Sequence, residues 1–167
     1  MKARRKRNSR PETAGADADP WPVALRLLTG RDHSVAGLRQ KLARRGFVDE
    51  QIEPVLARCR ELGYLDDLRF ARARARSLLE QGRAIGQRLL LELRRQGLDQ
   101  QVADQALQEV LQEVDEQALL QSLLDRRFPQ FCYESAPASE RRRVVQYLQR
   151  RGFPLDLIMT LLNAKGL

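Results

Sequence analysis

One glycine recurs at three matching positions of this chain, and this repetition limits the fold more than any other feature. Gly46, Gly97 and Gly152 each stand four residues after a leucine and directly before Phe or Leu. Further apolar residues stand eight residues before each glycine and nine and ten residues after it. The chain therefore contains an internal repeat with a period slightly above fifty residues.

The three glycines are typical of helix ends. A helix that stops abruptly often has a glycine just past its end, because glycine adopts the left-handed conformation there without a steric penalty. The apolar residue that follows then packs back onto the helix. We expect three such contacts, which join Leu42 to Phe47, Leu93 to Leu98, and Leu148 to Phe153.

The spacing of apolar residues predicts an all-α protein. From residue 21 onward they recur at steps of three and four, and no segment alternates with the period of a strand. Three-helix repeats are predicted over 21–65, 66–114 and 115–167. Repeats of this size bury too little surface alone, so we expect an elongated, curved array. The predicted helices span 22–29, 34–45, 50–62, 66–81, 86–96, 99–111, 115–127, 139–151 and 154–163.

Pro54 leaves two interpretations for the third helix. Proline lacks the backbone N–H that an interior helical position uses, so a helix from Glu50 would lose one hydrogen bond at Pro54. The alternative is a helix that becomes regular only near Pro54.

The chain is strongly basic. Lys and Arg total 30 against 22 Asp and Glu, which gives a net charge of +8 and an isoelectric point near 10.3. A polyanion is therefore the first class of partner to consider, and an acidic protein surface is the second. Residues 1–20 show no apolar periodicity and are predicted to form a disordered basic arm.

The sequence contains little that would support catalysis or a cofactor. The chain has one histidine, no glycine-rich phosphate loop and no recognisable catalytic pattern. Cys59 and Cys132 lie far apart and match neither a zinc spacing nor a disulfide framework. We expect a protein without enzymatic activity, metal or other cofactor. Since there is no long apolar run and no signal region, we expect it in the cytoplasm.

Two further features favour structural roles. Asp66 and Asp67 precede a predicted helix, where carboxylates satisfy exposed N–H groups, so we interpret them as helix caps rather than metal ligands. His33 lies in a predicted turn without a second histidine to complete a metal site. We therefore interpret it as a turn or solvent residue.

The arginines carry the strongest functional signal. The helix dipole favours cations in a last turn by about 0.3 to 1 kcal/mol, which accounts for those just before the repeated glycines. It does not account for the arginines within 66–81 or at the start of 139–151. A solvated basic face is the alternative to an anionic partner. Our candidate binding residues are Arg39, Lys41, Arg44, Arg45, Arg69, Arg72, Arg76, Arg141, Arg142, Arg143, Arg150 and Arg151.

Parts of the chain resemble the RecX family, the bacterial regulators of the RecA recombinase. The likeness lies in LLTGRDHS at 27–34, LRQKL at 38–42, GF at 46–47, LGYLDDLRFA at 62–71 and YLQRRGF at 147–153. No single segment is decisive, but their ordered combination is specific. It covers nearly all of the chain after the basic arm.

The resemblance implies tandem three-helix repeats that bind RecA filaments on single-stranded DNA. It also implies that the protein suppresses ATP hydrolysis, coprotease activity and strand exchange by RecA, and so controls recombinational repair and the SOS response. Binding of single-stranded DNA by the chain itself is expected to be weak and indifferent to sequence. We expect a monomer.

Two other functions fit the residues alone. Three-helix units resemble helix-turn-helix modules, so the chain could be a stand-alone DNA-binding protein. That function predicts tight binding to a particular duplex sequence with a steep dependence on salt. The third interpretation is an adaptor that recognises an acidic protein through the surface of its repeats.

Overall fold

The computed structural model describes residues 19–164. All regular secondary structure within that range is α-helical, so the predicted all-α fold is confirmed. Each helix boundary lies within two residues of its predicted position. The helices are α1 Pro20–Gly30, α2 Val35–Ala43, α3 Asp49–Glu61, α4 Asp67–Glu80, α5 Gly86–Arg94, α6 Gln100–Gln112, α7 Glu116–Arg127, α8 Ala138–Gln149 and α9 Leu155–Ala164.

The predicted basic arm lies outside the described residues except at its end. Asp19 is the N-cap of α1 and accepts a hydrogen bond from the Trp21 N–H at 2.9 Å. Pro20 is the first residue of the helix, a position where the missing N–H of proline has no cost.

Helices α1, α2 and α3 pack against one another in a first compact unit that ends at Asp66. Ser34 begins α2 by accepting a hydrogen bond from the Gly37 N–H at 3.0 Å. The helices are amphipathic, and their apolar faces meet in one core. Its fully buried members include Ala24, Leu38, Leu42, Ile52, Leu56 and Cys59.

Helices α4 to α9 form a second compact unit, which starts at Asp67. Within it, α4 and α5 pack against α6, while α7 and α8 pack against α9. Apolar residues from all six helices enter one continuous core, so the two groups of three bury their surfaces together. Its most buried members include Ala75, Leu89, Val110, Leu120, Leu148 and Ile158.

The glycine-terminated helix ends are confirmed. Gly46, Gly97 and Gly152 have φ angles of 92°, 76° and 98°, in the left-handed region. In the third repeat, the Phe153 N–H reaches back to the Leu148 carbonyl at 3.3 Å, and the first repeat makes the equivalent bond at 3.4 Å. The apolar residue after each glycine is buried, so the glycine turns the chain back into the core.

Pro54 lies inside α3, which runs without interruption from Asp49 to Glu61. The alternative of a helix that becomes regular only near Pro54 is therefore wrong. The first turn is supported by a hydrogen bond from the Val48 N–H to Gln51 Oε1 at 3.2 Å. It also carries Ile52, which is completely buried, and this burial outweighs one lost hydrogen bond.

The end of α8 meets the start of α5 backbone to backbone. The Ile85 N–H donates to the Arg151 carbonyl at 2.8 Å. A Cβ atom at residue 152 would collide with the carbonyl oxygen of Ile85. A side chain is therefore excluded at Gly152 both by this contact and by the backbone conformation.

Substitution Gly152→Ala is expected to destabilise the protein. Alanine in the left-handed conformation costs about 1 to 2 kcal/mol, and displacement of the backbone at Ile85 adds about 1 to 3 kcal/mol. Chemical denaturation followed by circular dichroism measures the loss. Gly30→Ala is the matched control, because a Cβ there meets no atom within 4 Å. A Gly152→Ala protein as stable as that control would contradict the close contact.

Candidate functional site

Arg39 on α2 is directed at α3. Its guanidinium contacts the Glu53 carboxylate closely and lies 3.8 Å from that of Asp49. The Arg39 side chain is 41% exposed, so these ion pairs contribute little to stability. They nevertheless give Arg39 an acidic partner within its own unit.

Lys41, Arg44 and Arg45 lie at the end of α2 and form a group with Arg31, which precedes α2. Burial first, and then repulsion by the three arginines, lower the pKa of Lys41. Within residues 19–164, none of these four residues forms an ion pair with a carboxylate. We call them the α2 cation cluster. A positive surface without local neutralisation attracts anions.

His33 lies next to the α2 cation cluster and is buried, with 8% of its surface exposed. The sequence analysis interpreted it as a turn or solvent residue, and the structure places it in the connection between α1 and α2, buried rather than in solvent. Burial, followed by Lys41 and Arg31, lowers the pKa of His33, while Asp32 and a hydrogen bond to the Leu27 backbone oppose this change. The imidazole is therefore neutral near pH 7.

Two of the four α4 arginines are directed at α6. Arg72 Nε donates to the Glu109 carboxylate, which also accepts a hydrogen bond from the Gln105 amide at 2.9 Å. One turn later, Arg76 makes a bidentate pair with Glu113 at 2.9 and 3.1 Å. These two pairs join α4 to α6 within the second unit.

The stripe predicted from the spacing of Arg69, Arg72 and Arg76 exists, and Arg69 is exposed on it. Its two later members, however, have acidic partners within the chain. The sequence analysis missed these partners because they lie 37 residues further on. The sequence signal for these partners was a pair of glutamates, one on α6 and one at its C-cap, with the same spacing of four as the two arginines.

Arg141 and Arg151 at the two ends of α8 lie over tyrosine rings. The guanidinium carbon of Arg151 lies 3.5 Å from the centre of the Tyr147 ring, and that of Arg141 lies 5.5 Å from the Tyr133 ring. The Nε atoms of both arginines are buried and have no hydrogen-bond partner among the described residues. Each guanidinium therefore lies within cation–π distance of a tyrosine ring.

The other candidate arginines of α8 and its cap are exposed. Arg143 lies 3.5 Å from Glu140, one turn earlier. In the part of the chain that the structure describes, neither Arg142 nor Arg150 forms an ion pair. Arg142 is the fifth residue of α8, just past its first turn.

An aromatic cluster near these arginines was missed by the sequence analysis. The rings of Phe128 and Tyr147 meet edge to face with centres 5.1 Å apart. The sequence signal for this cluster was the aromatic density of FPQFCY at 128–133.

Hydrogen bonds with Ser135 lower the pKa of the exposed Cys132 thiol in this segment. The segment helps to enclose a cavity of about 130 Å³ lined by Leu124, Phe128, Phe131, Cys132, Tyr133 and Leu162.

Charge is the main chemistry that these surfaces offer. Between residues 19 and 164, no three His, Cys, Asp or Glu side chains come together in a way that could hold a metal ion. None of the helices in the described chain combines the length and the apolar character that a membrane crossing requires. The candidate sites are therefore two basic surfaces, one on α2 in the first unit and one on α8 in the second.

Comparison with known proteins identifies two of the repeats. Residues 23–59 match the first three-helix domain of RecX, and residues 114–162 match its third three-helix domain. A regulatory protein RecX from Syntrophotalea carbinolica is 47% identical over 135 residues, which cover 81% of this chain and 88% of that protein. Its counterpart from Halorhodospira halophila is 41% identical over 149 residues, or 88% of each chain. These matches confirm the resemblance seen in the sequence.

Two crystal structures share the fold. A regulatory protein RecX superposes with a TM-score of 0.70 at 23% identity, covering 86% of this chain and 71% of the other. RecX from Lactobacillus salivarius superposes with a TM-score of 0.66 at 19% identity, covering 87% and 93%. The helical repeat architecture is thus shared with proteins of much lower sequence identity.

Substitution of Arg72 is expected to lower the free energy of unfolding by an amount that depends on pH. Hydrogen bonds from Arg72 and Gln105 hold the pKa of Glu109 below 4.5. A carboxylate of this kind stabilises the folded state above its unfolded pKa, and the contribution is lost as the pH falls through its folded pKa. Arg72→Gln should therefore unfold more readily than the unchanged protein near pH 7, and the difference should shrink below pH 4.5.

Denaturation midpoints over a series of pH values measure this effect. Arg74→Gln is the matched control, because Arg74 lies on the same helix and forms no ion pair within residues 19–164. If both variants respond to pH in the same way, the pair between Arg72 and Glu109 does not stabilise the fold.

Proposed function

Because the chain belongs to the RecX family of regulatory proteins, we propose that it binds RecA filaments formed on single-stranded DNA and inhibits RecA. The activities inhibited are ATP hydrolysis, coprotease activity and strand exchange. The protein thereby limits recombinational repair and the SOS response in the cytoplasm. It acts as a monomer, without catalysis or a cofactor of its own.

The observation that supports this proposal is a grouping of cations that form no ion pair with a carboxylate within residues 19–164. Burial, and then repulsion by Arg31, Arg45 and Arg44, lower the pKa of Lys41 in the α2 cation cluster. Arg142 and Arg150 add exposed positive charge on α8 and its cap. A recombinase filament on DNA offers phosphates and acidic side chains, and either would neutralise these surfaces.

We propose that the arginines already paired with a carboxylate of this chain mainly hold parts of the chain in position. Each would have to leave a carboxylate of its own chain before it could contact a filament. This group consists of Arg39, Arg72, Arg76 and Arg143. Arg69 stays a candidate contact on the exposed surface of α4.

Arg141 and Arg151 have a third role in this proposal. Their guanidinium groups are held on the Tyr133 and Tyr147 rings. A guanidinium whose orientation is already fixed loses less conformational entropy when it binds a phosphate or a carboxylate. These two residues would therefore determine how the surface of α8 aligns with the bound filament.

A stand-alone DNA-binding protein is the alternative function. It requires tight binding to one duplex sequence, read by side chains at base edges. The regulator instead requires weak DNA binding through phosphates, which is indifferent to sequence. Selection from a pool of random duplexes separates the two, since enrichment of a sequence motif would favour the alternative.

Hydrolysis of ATP by RecA on single-stranded DNA is the direct test of the proposed function. Substoichiometric amounts of the full chain should lower the rate. An unchanged rate, with the protein folded by circular dichroism, would rule out the proposed function for this chain.

Charge reversal of the clustered cations should weaken the inhibition. For both Arg44→Glu/Arg45→Glu and Arg142→Glu/Arg150→Glu we expect the concentration for half inhibition to rise about tenfold or more. The matched control is Arg26→Glu/Arg60→Glu, which changes the net charge equally at two exposed arginines outside the clusters. If the control loses as much inhibition as the cluster variants, net charge rather than the proposed surface governs binding.

A further inference from the structure

Two arginines from separate parts of the second unit meet at Gln81, which follows α4. Arg126, in the last turn of α7, donates from Nη2 to the Gln81 backbone carbonyl at 3.2 Å. Arg83 donates from Nη1 to the side-chain oxygen of Gln81 at 3.4 Å. Hydrogen bonds therefore bring both guanidinium groups to one neutral residue.

The loop between α4 and α5 is fixed against α7 and α8. A Cβ atom at residue 82 would lie only 2.9 Å from a methyl carbon of Leu123, so the loop backbone lies directly on α7. At the other end of the loop, the Ile85 N–H donates to the Arg151 carbonyl at 2.8 Å. The loop thus connects the end of α7 with the end of α8, where Arg150 is the C-cap.

The arginines at this junction are exposed. They are Arg83 on the loop, Arg126 and Arg127 at the end of α7, and Arg150 at the cap of α8. We call them the junction arginines. Within residues 19–164, none of them forms an ion pair with a carboxylate. A guanidinium has five N–H donors, so the two that bond to Gln81 keep further donors for a ligand, and their exposure lets a ligand reach them.

A purely structural role explains only part of the junction. The helix dipole favours cations in the last turn of α7, and the bond to Gln81 ties Arg126 to the loop. Neither reason applies to Arg83, which lies outside the helices and bonds to a neutral side chain. Like charges gathered in one place are unfavourable until an anion binds. The junction therefore has the properties of an anion-binding surface.

The junction suits a nucleic acid better than an acidic protein. Protein interfaces depend on apolar and aromatic anchors that are buried at their centre. In the described part of the chain, the exposed large apolar side chains lie outside the loop, α7 and α8, at Val48, Leu62, Tyr64, Leu91 and Leu155. Contacts with phosphates need only cations.

Two aromatic rings beside the arginines favour a single strand. Phe128 follows Arg127 directly, and its ring meets the Tyr147 ring edge to face. The Arg151 guanidinium lies over the other ring, and all three of these side chains belong to half-buried residues. Unpaired bases stack on aromatic rings and on guanidinium planes, whereas the bases of a duplex are already stacked on one another.

We propose that the junction arginines bind the phosphates of single-stranded DNA, with unpaired bases directed towards Phe128 and Tyr147. The cations come from a loop and two helix ends, and such a spread suits a polymer of regularly spaced charges. Contacts with the backbone do not read base sequence, so binding is indifferent to sequence. Arg83 and Arg126 are new contact residues, which their spacing in the sequence did not single out.

This surface deepens the proposed function and rests on it only for the presence of single-stranded DNA. Its test uses the full chain and an oligothymidylate, without a recombinase. A failure of the surface is therefore distinguishable from a failure to regulate RecA, which the hydrolysis assay measures.

Fluorescence anisotropy of labelled oligothymidylate over a series of salt concentrations is the test. Arg83→Gln/Arg126→Gln should weaken binding about tenfold at low salt. The slope of log affinity against log salt should fall by about 1.4, since each phosphate contact with a single strand contributes about 0.7. The matched control is Arg74→Gln/Arg94→Gln, which removes the same charge from two other arginines of the second unit without an ion pair within residues 19–164. If the junction variant binds as tightly as this control, the proposal is overturned.

Conservative variants separate a contact with DNA from support of the loop. Arg83→Lys/Arg126→Lys keeps both charges and should bind within about threefold of the unchanged chain. A loss as large as that of the glutamine variant would show that the bonds to Gln81, rather than the charges, matter, and would overturn the proposal. If the double glutamine variant does not fold, Arg83→Gln alone decides, because Arg83 lies on an exposed part of the loop. It should lower the salt slope by about 0.7.

Two other ligands decide what the junction recognises. For a duplex of the same length, the loss caused by Arg83→Gln/Arg126→Gln should be smaller than for oligothymidylate. An equal or larger loss would overturn the single strand as the ligand. For labelled oligoglutamate the loss should also be smaller, and an equal loss would identify an acidic protein surface as the ligand and overturn the proposal of DNA.

Discussion

The arrangement of the second unit depends on the backbone contact between the end of α8 and the start of α5. The Ile85 N–H is bonded to the Arg151 carbonyl, and the next residue, Gly152, has no space for a side chain. The same glycine ends α8 through its left-handed conformation. One residue therefore sets both the length of the helix and its place against the preceding repeat. Because α8 and its cap carry the arginines from 141 to 151, this contact also places those cations within the unit.

Arginine has two distinct roles in this protein, and the difference lies in the local supply of carboxylates. Arg72 and Arg76 meet glutamates of α6 and hold two helices together. The α2 cation cluster has no such partners among the described residues, and its members repel one another. A surface of the second kind is less favourable alone than in a complex with an anion. It therefore suits a regulator whose partner is a charged filament.

Most of the fold could be predicted because its causes are local. Apolar spacing and the glycine ends placed every helix boundary within two residues. The alternative raised for Pro54 failed because a local rule was applied to a position where burial of Ile52 decides the outcome. The candidate site was less predictable. Its basic residues could be named, but the partner of Arg72 lies 37 residues away and the burial of His33 depends on how the helices pack.

The amino-acid sequence by itself determined the order and limits of the helices between residues 19 and 164, and the likeness to RecX. Helix formation and capping depend on residues within about five positions of one another, so they can be read along the chain. Only the tertiary structure decided which arginines are paired with carboxylates. It also decided that the one histidine is buried, with Lys41 and Arg31 acting on it. Electrostatic interaction and burial depend on distances between helices, and these distances are set by packing rather than by spacing in the sequence.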